Sequence, residues 1–303
     1  MTRMRLAVIV SFLDEQPVLP RFLASVALQT RLPDRLILVD DGSSDGSRSI
    51  AEEFAASRSY VTVIALARRS GCEDRLTGAS ELRAFQTAVS SLEGGFDVIA
   101  KLDADLELPS CFFEEIVRAF ERDPSLGVAG AYLSVRAEDG TTRRERCPAE
   151  HVRGPNRFYR SKCFADVSPI PPFLGWDTID ETRAKMRGWQ VRSLELSGGD
   201  PIHLRPTGTY DGVALRGVAR MGHAAWGYGS HPLAVLAGAA SRMRDRPVVL
   251  AGLAFLAGWL RAALRGEPRA EAETRSFLRA QQFRRMGQAL QRATLSLERW
   301  APC

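Results

Sequence analysis

The chain has few of the residues that would mark a metal-stapled or disulfide-framed domain. Its five cysteines, Cys72, Cys111, Cys147, Cys163 and Cys303, are scattered, odd in number and never spaced C-x-x-C. That excludes a zinc ribbon and favours reduced thiols in a cytoplasmic protein. Long apolar runs are also missing. The uncharged stretch VVLAGLAFLAGWL, residues 248 to 260, falls short of the ~20 apolar residues that a spanning helix needs. The N-terminal MTRMRLAVIV imitates a basic-then-apolar signal peptide, but the run stops at Leu13 and Asp14-Glu15 follow, so it reads as a buried first strand. SFLDEQP is not the glycine-rich basic phosphate loop that nucleotidyltransferases carry near the N-terminus, and no Ser/His/Asp pattern marks a covalent nucleophile. Arginines gather after Arg242 without interleaved stacking aromatics, which excludes nucleic acid as the expected partner. No internal repeat or low-complexity tract is present.

What is present is enough apolar material for a core: 45% of 303 residues are hydrophobic, with a formal net charge of +5. Aliphatic runs at Leu6 to Val10, Leu36 to Val39, Val61 to Leu66 and Val98 to Leu102 alternate with segments long enough for helices, which predicts a parallel α/β sheet. Leu19, Phe22, Leu23 and Val26 line one helical face, and Phe112, Ile116 and Phe120 another. Residues 136 to 175, rich in charge, Pro and Gly, predict a functional loop or small subdomain facing an acceptor. Helical character returns at Asp177 to Arg187, a Gly-rich segment runs from Ser197 to Gly229, and a last helix is expected from about Glu271 to Trp300. With Arg242, Arg244 and Arg246 before it and Arg261 and Arg265 after it, the 248 to 260 stretch suits an interfacial helix on an anionic membrane; a core or dimer helix is the alternative.

Two strand ends carry carboxylates. LVDDGSSDGS, residues 38 to 47, puts Asp40 and Asp41 before a Gly/Ser turn, with Asp45 suited to cap the next helix. AKLDADLELPS, residues 100 to 110, ends a strand in Asp103 and Asp105. Strand ends of this kind form the ligand edge of open α/β sheets. Clustered like charges there require a compensating partner, and Mg²⁺ or Mn²⁺ with substrate phosphate oxygens fits hard carboxylate donors.

The stretches VIVSFLDEQPVLPRFLASVALQ, ILVDDGSSDGS, IAKLDADLELPSCFFEEIVRAF and GWDTIDETRAKMRGW, in this order and spacing, resemble family 2 glycosyltransferases of the GT-A fold from about Arg5 to Pro232. The resemblance implies a GT-A domain over 1 to 232, with a nucleotide-binding half to about residue 110 and an acceptor half from about 111, followed by a helical region over 233 to 303. It implies nucleoside contacts from Phe12, Asp14 and Asp40. Asp103 and Asp105 would hold the metal and the sugar diphosphate, with Asp105 the stronger metal ligand. Counting back from Gly188-Trp189 aligns Asp177 with the family's catalytic base, and Asp180 lies one turn further on. The chain departs from the family in having Trp176 where an acidic pair is common. In later elements, HLRPTG offers His203 to the metal shell and Arg205 to a phosphate, while His231 in WGYGSHP reads as structural.

Trp176, beside the implied base, is expected to stack on an acceptor sugar face, with a buried aromatic at a helix start as the equally ordinary alternative. Arg68, Arg69 and Arg83 lie towards the nucleotide side and read as surface arginines, and Gln86 stands where the family often has Asn. The implied reaction is an inverting, metal-dependent transfer from a nucleotide sugar, UDP-linked by expectation, to a hydroxyl of a glycan or lipid-linked acceptor in polysaccharide or glycoconjugate synthesis. The alternative is a non-catalytic nucleotide-sugar-binding protein of the same fold. The expected location is cytoplasmic, at the inner face of the membrane, and an oligomer is compatible with the sequence.

Overall fold

Each aliphatic run becomes a strand and each apolar stripe a helix, because both faces of the sheet must be covered. The computed structural model describes residues 3–68, 79–136, 141–204, 214–244 and 247–298. β1 (Leu6–Phe12), α1 (Leu19–Ala27), β2 (Arg35–Asp40), α2 (Ser47–Ala56), β3 (Val61–Ala65), α3 (Ser80–Ser90) and β4 (Val98–Asp103) follow one another along the chain. β1 lies between β2 and β4, with β3 beyond β2, all parallel. Their C-terminal ends therefore share one edge. Consecutive residues of β1, Ala7 to Val10, are all closed to solvent, as expected of a strand covered on two faces. Leu19, Phe22, Leu23 and Val26 of α1 join that core; a fully buried side chain of this size stabilises by ~1.5–3 kcal/mol.

The chain continues through β5 (Leu106–Glu107), α4 (Phe112–Arg122), β6 (Leu126–Ala131), β7 (Ser134–Arg136), β8 (Thr142–Arg144), β9 (Asn156–Arg160), α5 (Ser161–Val167), α6 (Trp176–Met186), β10 (Gln190–Leu194) and β11 (Ile202–His203). The central sheet is mostly parallel, as expected of the GT-A fold, and the structure corrects one expectation: residues 136 to 175 are not only an excursion. β9 enters the central sheet antiparallel between β4 and β6, giving the order β10-β6-β9-β4-β1-β2-β3. Polar groups hold it there: Asn156 accepts from the Ala131 N–H at 2.6 Å and donates to the Ala131 carbonyl at 3.1 Å. Gly130 must stay a glycine, because a Cβ would lie 2.2 Å from the Asn156 carbonyl oxygen. Arg160 donates to the carbonyls of Phe120 and Asp123, satisfying the end of α4.

A second small sheet has the order β5-β11-β7-β8. Arg144 of β8 forks onto Asp200, with Nε to Oδ2 at 2.8 Å and Nη2 to Oδ1 at 2.9 Å, and so fixes the approach to β11.

The fold divides into two compact units, Met1–Pro172 with Arg183–Tyr210, and Phe173–Thr182 with Asp211–Cys303. The second unit contains the start of α6 and four further helices: α7 (Ala214–Gly227), α8 (Pro232–Arg242), α9 (Leu250–Leu264) and α10 (Ala272–Glu298). α7 and α9 meet backbone to backbone. A Cβ on Gly222 would lie 1.9 Å from the Phe255 carbonyl oxygen, and one on Gly258 the same distance from that of Ala219. The uncharged 248 to 260 stretch lies largely within α9. It buries Ala251, Phe255, Gly258 and Ala262 and exposes Leu253, Leu260 and Leu264. Among the described residues, no helix is long and apolar enough to cross a membrane.

Candidate active site

In the first unit, the loops after β1 and β2 are tied together by side chains from the VDDGSSD turn. Asp14 takes a left-handed backbone (φ 53°), which a short polar residue tolerates. Its N–H donates to Ser43 Oγ at 3.0 Å, and its Oδ1 accepts from the Ser44 N–H at 2.6 Å. Asp45 accepts from the Ser47 N–H at 2.9 Å and the Gln16 N–H at 3.0 Å, so it serves the start of α2 and the first loop together. Asp40 accepts from the Ser43 N–H at 2.8 Å and from Arg48 Nε at 2.6 Å. Burial pushes the Asp40 carboxyl up, but Ser43 and Arg48 outweigh it and hold the group below the usual carboxylate range. Phe12 and Asp40 are both closed to solvent, whereas Asp14 keeps partial exposure.

Gly42 explains the glycine of the turn. Its φ is 86°, and a Cβ would lie 2.5 Å from Arg68 Cα. This close approach brings Arg68 Nη1 to 3.4 Å from Asp14 Oδ2, so an arginine that reads as surface belongs to the loop cluster. Arg83 and Gln86 instead donate to the carbonyls of Pro172 and Ile170, structural contacts away from that cluster. Arg69 and Arg205 lie outside the described residues.

At the end of β4, Lys101 Nζ reaches Asp103 Oδ1 at 2.5 Å from an almost fully buried position. The pairing gives one of the two clustered carboxylates an internal counter-charge. Asp105 meets His203: Nε2 lies 3.4 Å from Oδ1, and both residues are buried. Strand pairing creates this contact, because β11 runs antiparallel to β5 with His203 opposite Leu106, and the Leu204 N–H donates to the Asp105 carbonyl at 2.9 Å. Burial pushes the His203 imidazole down, but Asp105, with the further charges of Asp103 and Glu145, raises it above its ordinary value.

Among the described residues no three His, Cys, Asp or Glu side chains form a closed metal cage. A carboxylate and an imidazole 3.4 Å apart nevertheless fit two neighbouring positions on one cation. Mg²⁺ typically takes only one or two protein ligands and fills the rest with water and substrate phosphates. The donor set is therefore compatible with Mn²⁺ or Mg²⁺, and Asp105 and His203 are the pair that suits it best.

In the second unit, α6 begins at Trp176. Gly175 precedes it with φ 92°, and a Cβ there would lie 2.9 Å from Tyr228 Cδ1 and 3.0 Å from the Ala224 carbonyl oxygen. Gly175→Ala is therefore expected to destabilise the protein by ~1–3 kcal/mol, through strain at positive φ and overpacking. Urea unfolding measures this; an unchanged midpoint would contradict the packing. Asp177 is half-buried in the first turn of α6, where the helix dipole favours a carboxylate. Asp180 is fully buried, and its Oδ1 accepts from the Glu181 N–H at 2.6 Å. Trp176 is only 5% exposed. Such enclosure is ordinary for a large apolar ring at a helix start. His231 caps α8 by accepting from the Leu233 N–H at 3.2 Å, the structural part expected of it.

A mostly parallel α/β sheet with carboxylates at the C-terminal ends of its strands has the architecture of the GT-A fold. The family profile described as glycosyl transferase family 2 matches residues 7–174, and the chain belongs to that family. No curated protein matches the chain. Among solved structures, the mannosyltransferase PcManGT from Pyrobaculum calidifontis, in complex with GDP-Man and Mn²⁺, is similar at 16% identity, with a TM-score of 0.54 over 96% of this chain and 81% of its own. TarS 1-349 from S. aureus in complex with UDP-GlcNAc is similar at 15% identity, TM-score 0.52, over 87% of this chain and 74% of its own. Glucosyl-3-phosphoglycerate synthase from Mycobacterium tuberculosis, with Mn²⁺, UDP and glucosyl-3-phosphoglycerate, is similar at 15% identity, TM-score 0.51, over 72% of this chain and 78% of its own. At these identities the structural likeness establishes the GT-A fold alone.

Sequence reasoning passed over Lys101 and Arg48, and gave Arg68 no firm role. A lysine two residues before a D-x-D, within an otherwise apolar strand, is the one signal that could have pointed to Lys101, because a buried ammonium requires a nearby carboxylate.

Proposed function

We propose that the chain is a metal-dependent, inverting glycosyltransferase that moves a sugar from a nucleotide sugar, UDP-linked by preference, to a hydroxyl of a glycan or lipid-linked acceptor in polysaccharide or glycoconjugate synthesis. The observation that carries this reading is the Asp105–His203 pair at the end of β4, in the same unit as the Asp14–Asp40 loop cluster. Solved structures of similar fold were obtained with GDP-Man, UDP or UDP-GlcNAc, several with Mn²⁺ or Mg²⁺, which supports the donor class and the cation.

In this mechanism Phe12, Asp14 and Asp40 contact the nucleoside, with Arg68 beside Asp14. Asp103, paired with Lys101, lies on the sugar-diphosphate side, and Arg205 meets a phosphate. Asp105 and His203 would hold a divalent cation, which when bound would supply charge neutralisation for the diphosphate. Asp177 takes the acceptor hydroxyl proton as that oxygen bonds to the anomeric carbon; the bond from that carbon to the diphosphate oxygen breaks, and the nucleoside diphosphate departs. Asp180, buried and committed to a backbone N–H, is the less suited base. One displacement inverts the anomeric centre, so NMR of the first-formed product should show the configuration opposite to the donor. Retention would overturn the single-displacement mechanism.

The catalytic region is proposed to run from 1 to 232, with 233 to 303 as an appended helical region. α9 exposes Leu253, Leu260 and Leu264, preceded by exposed Val248, Val249 and Leu250. Arg244, Arg261 and Arg265 lie exposed at its two ends. An apolar stripe with cationic ends suits the inner face of an anionic membrane. The protein is expected to float with vesicles containing phosphatidylglycerol and to lose that association in a Leu253→Ser/Leu260→Ser variant. Equal flotation of the variant would contradict it.

A further inference from the structure

The second unit carries a group of arginines that the transfer reaction leaves unused. They surround the turn after α7. There the Tyr228 N–H donates to the Ala224 carbonyl at 2.9 Å and the Gly229 N–H to that of Trp226 at 2.9 Å. Gly229 has φ 80°, and a Cβ would lie 2.4 Å from Arg275 Cγ, so the Arg275 stem rests directly on the turn. Arg279 Nε donates to the Gly229 carbonyl at 3.0 Å. The Arg269 guanidinium stacks on the Trp226 ring, 4.1 Å from its centroid. That ring is itself fixed, because its Nε1–H donates to the Glu267 carbonyl at 3.0 Å.

Three guanidiniums thus gather at one turn, and among the described residues none of them pairs with a carboxylate. The Nε atoms of Arg269 and Arg275 are buried and have no hydrogen-bond partner. Burial, together with the charges of Arg275 and Arg279, pushes the Arg269 guanidinium below its ordinary value. Gathering like charges and burying unsatisfied donors costs free energy. An anion bound by these guanidiniums would offset the repulsion between them. Several guanidinium forks around one point match a tetrahedral oxyanion that accepts from many directions better than they match a single planar carboxylate.

We propose that Arg269, Arg275 and Arg279, gathered at the Gly227–Gly229 turn, form a binding site for a phosphate group. The group is either the phosphate of a lipid headgroup or that of a soluble phosphate compound. The site would hold it whether or not the first unit transfers a sugar.

The experiment uses the full chain and two separate variants, Arg269→Met and Arg275→Gln, with Arg284→Gln as the control; Arg284 is an exposed arginine on the same helix. In the first arm, melting temperature is followed as inorganic phosphate is titrated at constant ionic strength set with chloride. In the second, binding is measured to vesicles of phosphatidylcholine with and without phosphatidic acid. The wild type is expected to respond in at least one arm, and that response should weaken ~10-fold or more in each site variant, as loss of a charge-assisted hydrogen bond implies. Arg284→Gln should keep the wild-type response. Without phosphate, Arg269→Met should melt at or above the wild-type temperature, because it relieves repulsion. A response to phosphatidic acid alone assigns the site to a lipid headgroup, and one to inorganic phosphate assigns it to a soluble compound. No response of the wild type in either arm, or equal responses of wild type and both site variants, would overturn the site.

Discussion

Asp177→Asn is expected to lower turnover by ~10²–10⁴-fold, the range of a single general base, while leaving donor binding unchanged. The substitution keeps the shape of the side chain and removes only its capacity to accept a proton. Asp177 suits the role by position: it stands half-exposed in the first turn of α6, behind a glycine that fixes the helix start against Tyr228. Asp180 differs in being fully buried with an oxygen already on a backbone N–H. Asp180→Asn should therefore appear first as lost stability, and Asp177→Asn as lost turnover at unchanged stability. Steady-state rates beside donor titrations separate the two. Normal turnover in Asp177→Asn would remove it as the base.

Asp105→Ala is the second substitution of large expected effect. It removes the carboxylate that meets His203 at 3.4 Å and, with it, one of the two donors available to a cation. Mn²⁺-stimulated binding of a nucleoside diphosphate should fall by ~10²-fold or more, in keeping with the several kcal/mol such charge stabilisation supplies. His203→Ala should reduce the same quantity, and the double variant should lose little beyond the larger single effect, as partners in one site are not additive. Calorimetric titration with and without Mn²⁺ reads this directly. Metal-independent binding that Asp105→Ala does not change would remove Asp105 from the metal site.

Much of the first unit was legible because its strands are covered on both faces. Leu6 to Val10 and Leu36 to Val39 read as continuous apolar runs, Val98 to Leu102 as one broken only by Lys101, and α1 and α4 show their stripes at helical spacing. β9 was not legible, for a physical reason. NRFYR carries polar groups at positions that the fold satisfies individually: Asn156 on the backbone of Ala131, Arg157 on the carbonyl of Val152 and the Tyr159 hydroxyl, Arg160 on the end of α4. A pattern of hydrophobicity cannot reveal partners that lie many residues away.

The candidate site divides in the same way. Asp40, Asp103 and Asp105 announce themselves at strand ends, where charge interrupts an apolar run. His203 and Asp105 meet only because two-residue strands pair antiparallel, which the sequence does not encode at short range. Arg68 arrives through the absence of a side chain at Gly42, and Lys101 is noticed only once its burial is known.

The central claim, that this chain transfers a sugar from a nucleotide donor, is tested most directly by incubating the purified protein with a panel of nucleotide sugars and candidate acceptors in Mn²⁺, and weighing the products. The account predicts, for at least one donor, an acceptor heavier by one glycosyl residue together with free nucleoside diphosphate, both lost on chelation and in Asp177→Asn. Tight donor binding with no glycosylated product from any acceptor, and no difference between wild type and Asp177→Asn, would contradict it.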